Sequence, residues 1–166
     1  MSNDNQSLAL DGVEDARQAL LALLEGMRRS LHLYTPYVDP RLYDDGQVMD
    51  TIRNRLVNQP RLQLYLLLPP AAEWQRGCPR LRQLTERLSS SFELRTPPRE
   101  ESLTHPELSR GMMVADESGL LHLTDPRRFT GSYTAEGSAS AREMMNFFKQ
   151  IWDRSEPDIE MRRFRL

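Results

Sequence analysis

Cysteine occurs once in the 166 residues, at Cys78, so no intrachain disulfide can form and a cysteine-rich metal site is excluded. Histidine occurs three times, as His32, His105 and His122, without metal-ligand spacing and without an HExxH pair. No apolar run approaches the roughly 20 residues that a membrane-spanning helix needs. The opening MSNDNQS is polar and has no charged segment leading into an apolar one, so the expected compartment is the cytoplasm. There is also no glycine-rich loop entering a helix, which removes the usual cradle for a pyrophosphate or for acetyl-CoA. No cofactor is implied.

Net charge is nearly absent too. Lys and Arg total 22 against 24 Asp and Glu, giving −2, so nothing draws the whole molecule to nucleic acid or to an anionic membrane, and only a local basic patch remains open. Lysine is confined to Lys149, and the remaining cations are arginines, a bias that GC-rich coding explains as readily as phosphate recognition does. The length suits one compact domain. We expect a polar tail over residues 1–10 and a single α/β domain over 11–166.

What is present is a regular alternation of patterns. Val13, Ala16, Leu20, Leu23, Leu24 and Met27 recur at helical steps, and Asp11 with Glu14 has the spacing of a cap and its partner, which predicts a helix from about 12 to 29. LHLYT then reads as a strand stopped by Pro36. Val48, Ile52 and Leu56 predict a helix after Asp45, LQLYLLL a buried strand, Pro79 with Leu81, Leu84 and Leu88 a third helix, and Phe92 to Thr96 a short strand. This order predicts a mixed, mostly parallel sheet flanked by helices, because parallel neighbours need crossovers long enough to hold a helix.

The second half changes character. GMMVAD reads as a buried strand, Glu117 to Gly119 as a turn, LLHLT as its hairpin partner and RFTGSYT as a further strand. Met144, Met145, Phe148, Ile151 and Trp152 share a helical face from about 140 to 154. DIEMRRFRL reads as an edge strand with Arg162, Arg163 and Arg165 outward; around Phe164 they also form a pattern compatible with single-stranded nucleic acid, although edge charges that discourage strand pairing account for them more simply.

The segment SRGMMVAD, Ser109 to Asp116, resembles the motif strand of the phospholipase D-like (HKD) phosphodiesterase superfamily, and the flanking LHLYTPYVD, LQLYLLL and FFKQIWDRS segments extend the resemblance from about Asp11 to Ser155. In that family a His-x-Lys-x4-Asp strand supplies a nucleophilic His, a phosphate-binding Lys and a supporting Asp. With Asp116 on the family Asp, Gly111 stands at the Lys position and Ser109 at the His position. Gly131 and Ser132 are similar to the Gly-Ser that follows the strand in active members, but they come late, and Thr134 replaces the customary Asn.

The resemblance therefore implies one half of a phospholipase D-like fold from a bacterial family, with a degenerate motif. Phosphoryl transfer needs a nucleophile of suitable pKa and cations to hold the phosphate oxygens, and neither Ser109 nor Gly111 supplies them. The expectation is a catalytically depleted domain acting as a binding or protein-interaction module, whose partner is an unknown protein, a phosphate-bearing ligand or a second copy of the chain. The alternative is a divergent homodimeric phosphodiesterase or nuclease using His105, which lies in the loop LTHPELSR four residues before Ser109.

Arg110 and Ser132 are the candidate anion-binding residues, since an Arg fork can hold phosphate. Strand parity turns Arg110 away from Ser109 and Gly111, which favours pairing with an acid. His32 and His122 read as face residues. In YTPYVDPRLYDDG, the tyrosines Tyr34, Tyr37 and Tyr43 and the acids Asp39, Asp44 and Asp45 form either a recognition surface near the strand ends or ordinary packing.

Overall fold

The computed structural model describes residues 6–158. Seven strands form one sheet in the order β1-β7-β6-β5-β2-β3-β4. They are β1 (Leu8–Asp11), β2 (Ser30–Tyr34), β3 (Gln63–Leu67), β4 (Phe92–Arg95), β5 (Gly111–Ala115), β6 (Gly119–Asp125) and β7 (Thr130–Thr134). The helices are α1 (Val13–Gly26), α2 (Pro40–Tyr43), α3 (Gly46–Asn58), α4 (Ala71–Trp74), α5 (Pro79–Arg87), α6 (Glu101–Thr104) and α7 (Ala141–Arg154), with 3-10 turns at Ser89–Ser91 and Pro106–Ser109. The expected edge strand at the Arg-rich end, with Arg162, Arg163 and Arg165, lies outside the described residues.

The sheet is mixed, as expected, but antiparallel pairing predominates where parallel pairing was expected. Only β2-β3 and β3-β4 are parallel, whereas β1-β7, β7-β6, β6-β5 and β5-β2 are antiparallel. Chain length between strands is the reason. Helices α3 and α5 provide crossovers in the first half, but residues 116–118 and 126–129 leave room only for tight reversals. At the first reversal Asp116 and Glu117 both have positive φ (55° and 59°), and Ser118 N–H bonds back to the Ala115 carbonyl at 3.0 Å, closing a turn whose twist matches a hairpin.

Side-chain alternation sorts the two faces. Leu31, Leu33, Leu64, Leu66, Met113, Leu121 and Leu123 enter the larger core with α1, α3 and α5. Tyr34, Leu67, Met112 and Val114 face α7, which covers them with Met145, Phe148 and Ile151. Strand β5 is buried at all five residues because both faces are covered, which explains why it reads as an unbroken apolar run.

Two short elements differ from expectation. Strand β1 overlaps the segment read as a polar tail at Leu8 to Leu10; it buries only Leu10 and is held by its ladder to β7. Asp11 belongs to that strand and is not the cap of α1, where Gly12 stands at φ 107° and Asp15 accepts the Asp11 N–H at 3.0 Å. Helix α2 interrupts the tyrosine loop, capped by Asp39, whose carboxylate accepts the Arg41 N–H at 2.9 Å.

Candidate functional site

The three motif positions have separate fates. Ser109 ends the Pro106–Ser109 turn rather than lying on the strand, and its exposed hydroxyl donates to the Pro106 carbonyl at 2.7 Å. Gly111 opens β5. A Cβ there would stand 3.5 Å from Leu123 Cβ and 3.6 Å from the Tyr34 carbonyl oxygen, which is ordinary contact, so close packing does not itself demand glycine here.

Asp116 follows the strand in the left-handed region, φ 55°. Its carboxylate accepts three backbone N–H groups, from Arg28 at 2.8 Å, Arg29 at 2.7 Å and Ser30 at 3.0 Å, while its own N–H donates to the Ser30 carbonyl at 2.9 Å. The acid is a clasp between the end of β5 and the start of β2. It organises backbone, as a turn acid does.

Ser109 borders a cleft of about 300 Å³ with Tyr37, Asp125 and Arg127. The Arg127 guanidinium lies over the Tyr37 ring, 5.1 Å from its centroid, and the Asp125 carboxylate accepts the Arg127 and Arg128 N–H groups at 3.2 and 3.4 Å. Among the described residues this cleft holds neither a His nor a Lys.

His105 is engaged elsewhere. Its Nε2 lies 3.2 Å from a Glu101 carboxylate oxygen, and its ring meets Phe147 edge-on with centroids 5.5 Å apart. Glu101 also pairs with Arg154 at 3.3 Å. These contacts tie α6 to α7.

Arg110 points away from the Gly111 face, as strand parity requires, but the acid partner expected for it is not there: among the described residues its guanidinium makes no ion pair. It lines a groove of about 420 Å³ between β5, the turn before it and α7. His122 lies in the same groove, opposite Met112 in the β5-β6 register and opposite Ser132 in the β6-β7 register. Burial, reinforced by the positive charge of Arg110, holds the His122 imidazole below its ordinary pKa and so favours the neutral ring.

The fold therefore brings Arg110 and His122 together and leaves Ser109 and His105 apart from them. Ser132 is half-buried on the strand beside His122 and does not line the groove. His122 is the residue that sequence reading passed over. The signal was available in the hairpin: pairing Ala115 with Gly119 across the turn puts residue 122 beside Met112.

The tyrosine and acid cluster is spent largely on folding. The Tyr34 hydroxyl donates to the Leu108 carbonyl at 2.6 Å, Tyr43 is buried, Asp44 accepts the Leu81 N–H at 2.8 Å and Asp45 caps α3 through Val48 N–H at 3.0 Å. Tyr37 alone of the three tyrosines is exposed, at 40%. Among the described residues no group of three or more His, Cys, Asp and Glu side chains is arranged to hold a metal, and no helix is long and apolar enough to cross a membrane.

A family model described as "Domain of unknown function (DUF7931)" matches residues 12–164. No curated protein matches the chain. Solved structures that share its fold include the following three. An archaeal chromatin protein, TrmBL2, described by a novel mode of DNA binding, superposes with a TM-score of 0.63 at 14% identity, over 93% of this chain and 55% of its own. NucT from Helicobacter pylori gives 0.58 at 9% identity over 92% of this chain and 98% of its own. Phosphatidylserine synthase from Haemophilus influenzae Rd KW20 gives 0.56 at 12% identity over 92% of this chain and 39% of its own. The chain thus spans about half of the chromatin protein and less than half of the synthase, and it nearly matches NucT in extent. The architecture is a phospholipase D-like α/β fold.

Proposed function

The chain belongs to the DUF7931 family, and we propose that it is a catalytically depleted phospholipase D-like domain that works as a binding or protein-interaction module. One observation carries the reading: the acid of the motif is kept where it clasps backbone, while the positions that would attack and hold a phosphoryl group are a hydroxyl bonded to its own turn and a glycine.

Covalent phosphoryl transfer requires a nucleophile activated by a base and donors aimed at the phosphate oxygens. The carboxylate that lines the cleft with Ser109, that of Asp125, accepts the Arg127 and Arg128 N–H groups, the Ser109 hydroxyl is bonded to the Pro106 carbonyl, and Arg127 lies over Tyr37. Loss of such a pair ordinarily costs orders of magnitude in rate. That TrmBL2, of similar fold, is described by its DNA binding supports the view that this scaffold also serves recognition. A second copy of the chain would add only another depleted motif.

The test is hydrolysis of bis(p-nitrophenyl) phosphate and of single-stranded DNA by the purified full chain. The expected result is a rate equal to the blank. Turnover that disappears in His105→Ala would replace this reading with a divergent, dimeric phosphodiesterase, and turnover lost in Ser109→Ala would restore the motif strand as catalytic.

A further inference from the structure

The groove under α7 lies on the face of β5 that carries Met112, where Gly111 also lines it, away from the cleft that Ser109 borders. Its volume of about 420 Å³ is in the range of small-molecule pockets. Met112, Met144 and Phe147 give it apolar surface. His122 enters from β6, Arg110 from the residue just before β5, Glu107 from the turn preceding it, and Glu143 from α7.

The charged groups here do not neutralise one another. Elsewhere on the surface, among the described residues, Arg17, Arg41, Arg53, Arg82, Arg95, Arg128, Lys149 and Arg154 are each within 4 Å of a carboxylate, while other arginines, Arg61, Arg76 and Arg142 among them, are not. In the groove, among the described residues, neither the Arg110 guanidinium nor the Glu107 and Glu143 carboxylates has such a partner, although all three line one space. His122, held neutral, adds a hydrogen-bonding group without a charge.

A ligand complementary to this arrangement carries an anionic group for Arg110, an ammonium for a glutamate, and an apolar body for Met112, Met144 and Phe147. A simple phosphate meets two carboxylates and has nothing for the apolar surface, and a simple amine leaves Arg110 unanswered. We infer that the α7 groove is a binding site for a small zwitterion with an apolar body, an α-amino acid of aromatic or thioether side chain being the simplest member of the class. This rests on the binding-module reading and gives it a ligand class.

The experiment is calorimetric titration of the full chain with L-phenylalanine and L-methionine, with N-acetyl-L-phenylalanine and L-phenylalanine methyl ester as probes that each lack one charge. Saturable binding of the amino acids is expected. Each blocked probe, and the Arg110→Ala and Glu143→Gln variants, should bind about tenfold more weakly, the equivalent of one charge-assisted hydrogen bond. Because Arg110 and Glu143 are exposed and unpaired, both variants should unfold at the wild-type urea midpoint.

No saturable heat at about 10 mM, too weak to register as recognition, overturns the inference, as does equal binding of charged and blocked probes or unchanged affinity in Arg110→Ala. Those failures leave the module reading standing if the hydrolysis assay is blank. Hydrolysis by pure protein overturns the module reading instead.

Discussion

The Asp116 carboxylate receives the backbone N–H of Arg29 at 2.7 Å across 87 residues of chain. With the Arg28 and Ser30 bonds, it gathers the exit of β5 and the entry of β2, the two antiparallel strands at the centre of the sheet. The acid at the motif's Asp position is a structural clasp.

Removing that clasp should be costly. Asp116→Ala leaves three N–H groups without their acceptor and puts a Cβ-bearing residue without a helpful side chain at positive φ, so a loss of about 2–4 kcal/mol is expected. Asp116→Asn retains an acceptor and tolerates the left-handed conformation, so it should lose less. Urea unfolding of the two variants beside the wild type checks the order.

Gly131 is demanded by close approach. A Cβ there would stand 1.9 Å from the His122 carbonyl oxygen, in the backbone of the neighbouring strand and beside the register shift at Leu123/Asp125. Gly131→Ala should therefore destabilise by about 2 kcal/mol or more, because backbone cannot swing aside as a side-chain tip can. A matched Gly26→Ala change, with nothing within 4 Å of the new Cβ, should stay near neutral. Thermal unfolding of both variants distinguishes steric need from a general effect of glycine replacement.

His32 should make stability depend on pH. Its ring stacks on Tyr65 with centroids 4.6 Å apart, meets Phe148 edge-on, and has a buried Nδ1 without a partner. Burial, with a contribution from Lys149 that Glu117 opposes, pushes its pKa down from 6.5 to about 4. The unfolded chain therefore takes up the proton first. Stability is fully present above about pH 6.5, falls as pH drops through the window, and levels off below about 4. His122, shifted in the same direction, adds to the fall. In His32→Phe, urea midpoints measured from about pH 7.5 to about 4.5 should decline less steeply than in the wild type. Parallel slopes would rule out His32 as a source.

Cys78 should be inert in the native protein. It is 0% exposed, its Sγ lies 3.8 Å from the Val38 carbonyl oxygen, and burial, with Asp44 and Asp39 adding repulsion, pushes the thiol up to about 12. The reactive thiolate is thus both scarce and unreachable. A disulfide reagent should label it only after urea unfolds the chain, with native labelling as the contrary result.

The helices were legible because their apolar residues recur at helical steps: α3 buries Val48, Ile52 and Leu56, and α7 buries Met145, Phe148 and Ile151, as their spacing indicates. Strand β5 was legible as an apolar run. Strand β1 was not, since a single buried residue, Leu10, leaves no periodic signal and its support comes from backbone pairing. Helix α2 carried its own signal in Asp39 followed by Pro40, a cap and a first-turn proline, hidden within a loop-like composition.

At the site, it was readable letter by letter that Ser109 and Gly111 carry neither an imidazole nor an ammonium group, because a residue type sets what a side chain can donate or accept. The role of Asp116, the idle charges around Arg110 and the inclusion of His122 were not. A carboxylate is the same in sequence whether it faces a ligand or three N–H groups. The element pattern, the two-sided burial of β5 and the hydroxyl and glycine at Ser109 and Gly111 follow from local periodicity and side-chain chemistry alone. The tertiary structure decided the antiparallel majority, the clasp at Asp116 and the groove under α7, because each depends on which distant segments the chain reversals bring within hydrogen-bonding reach.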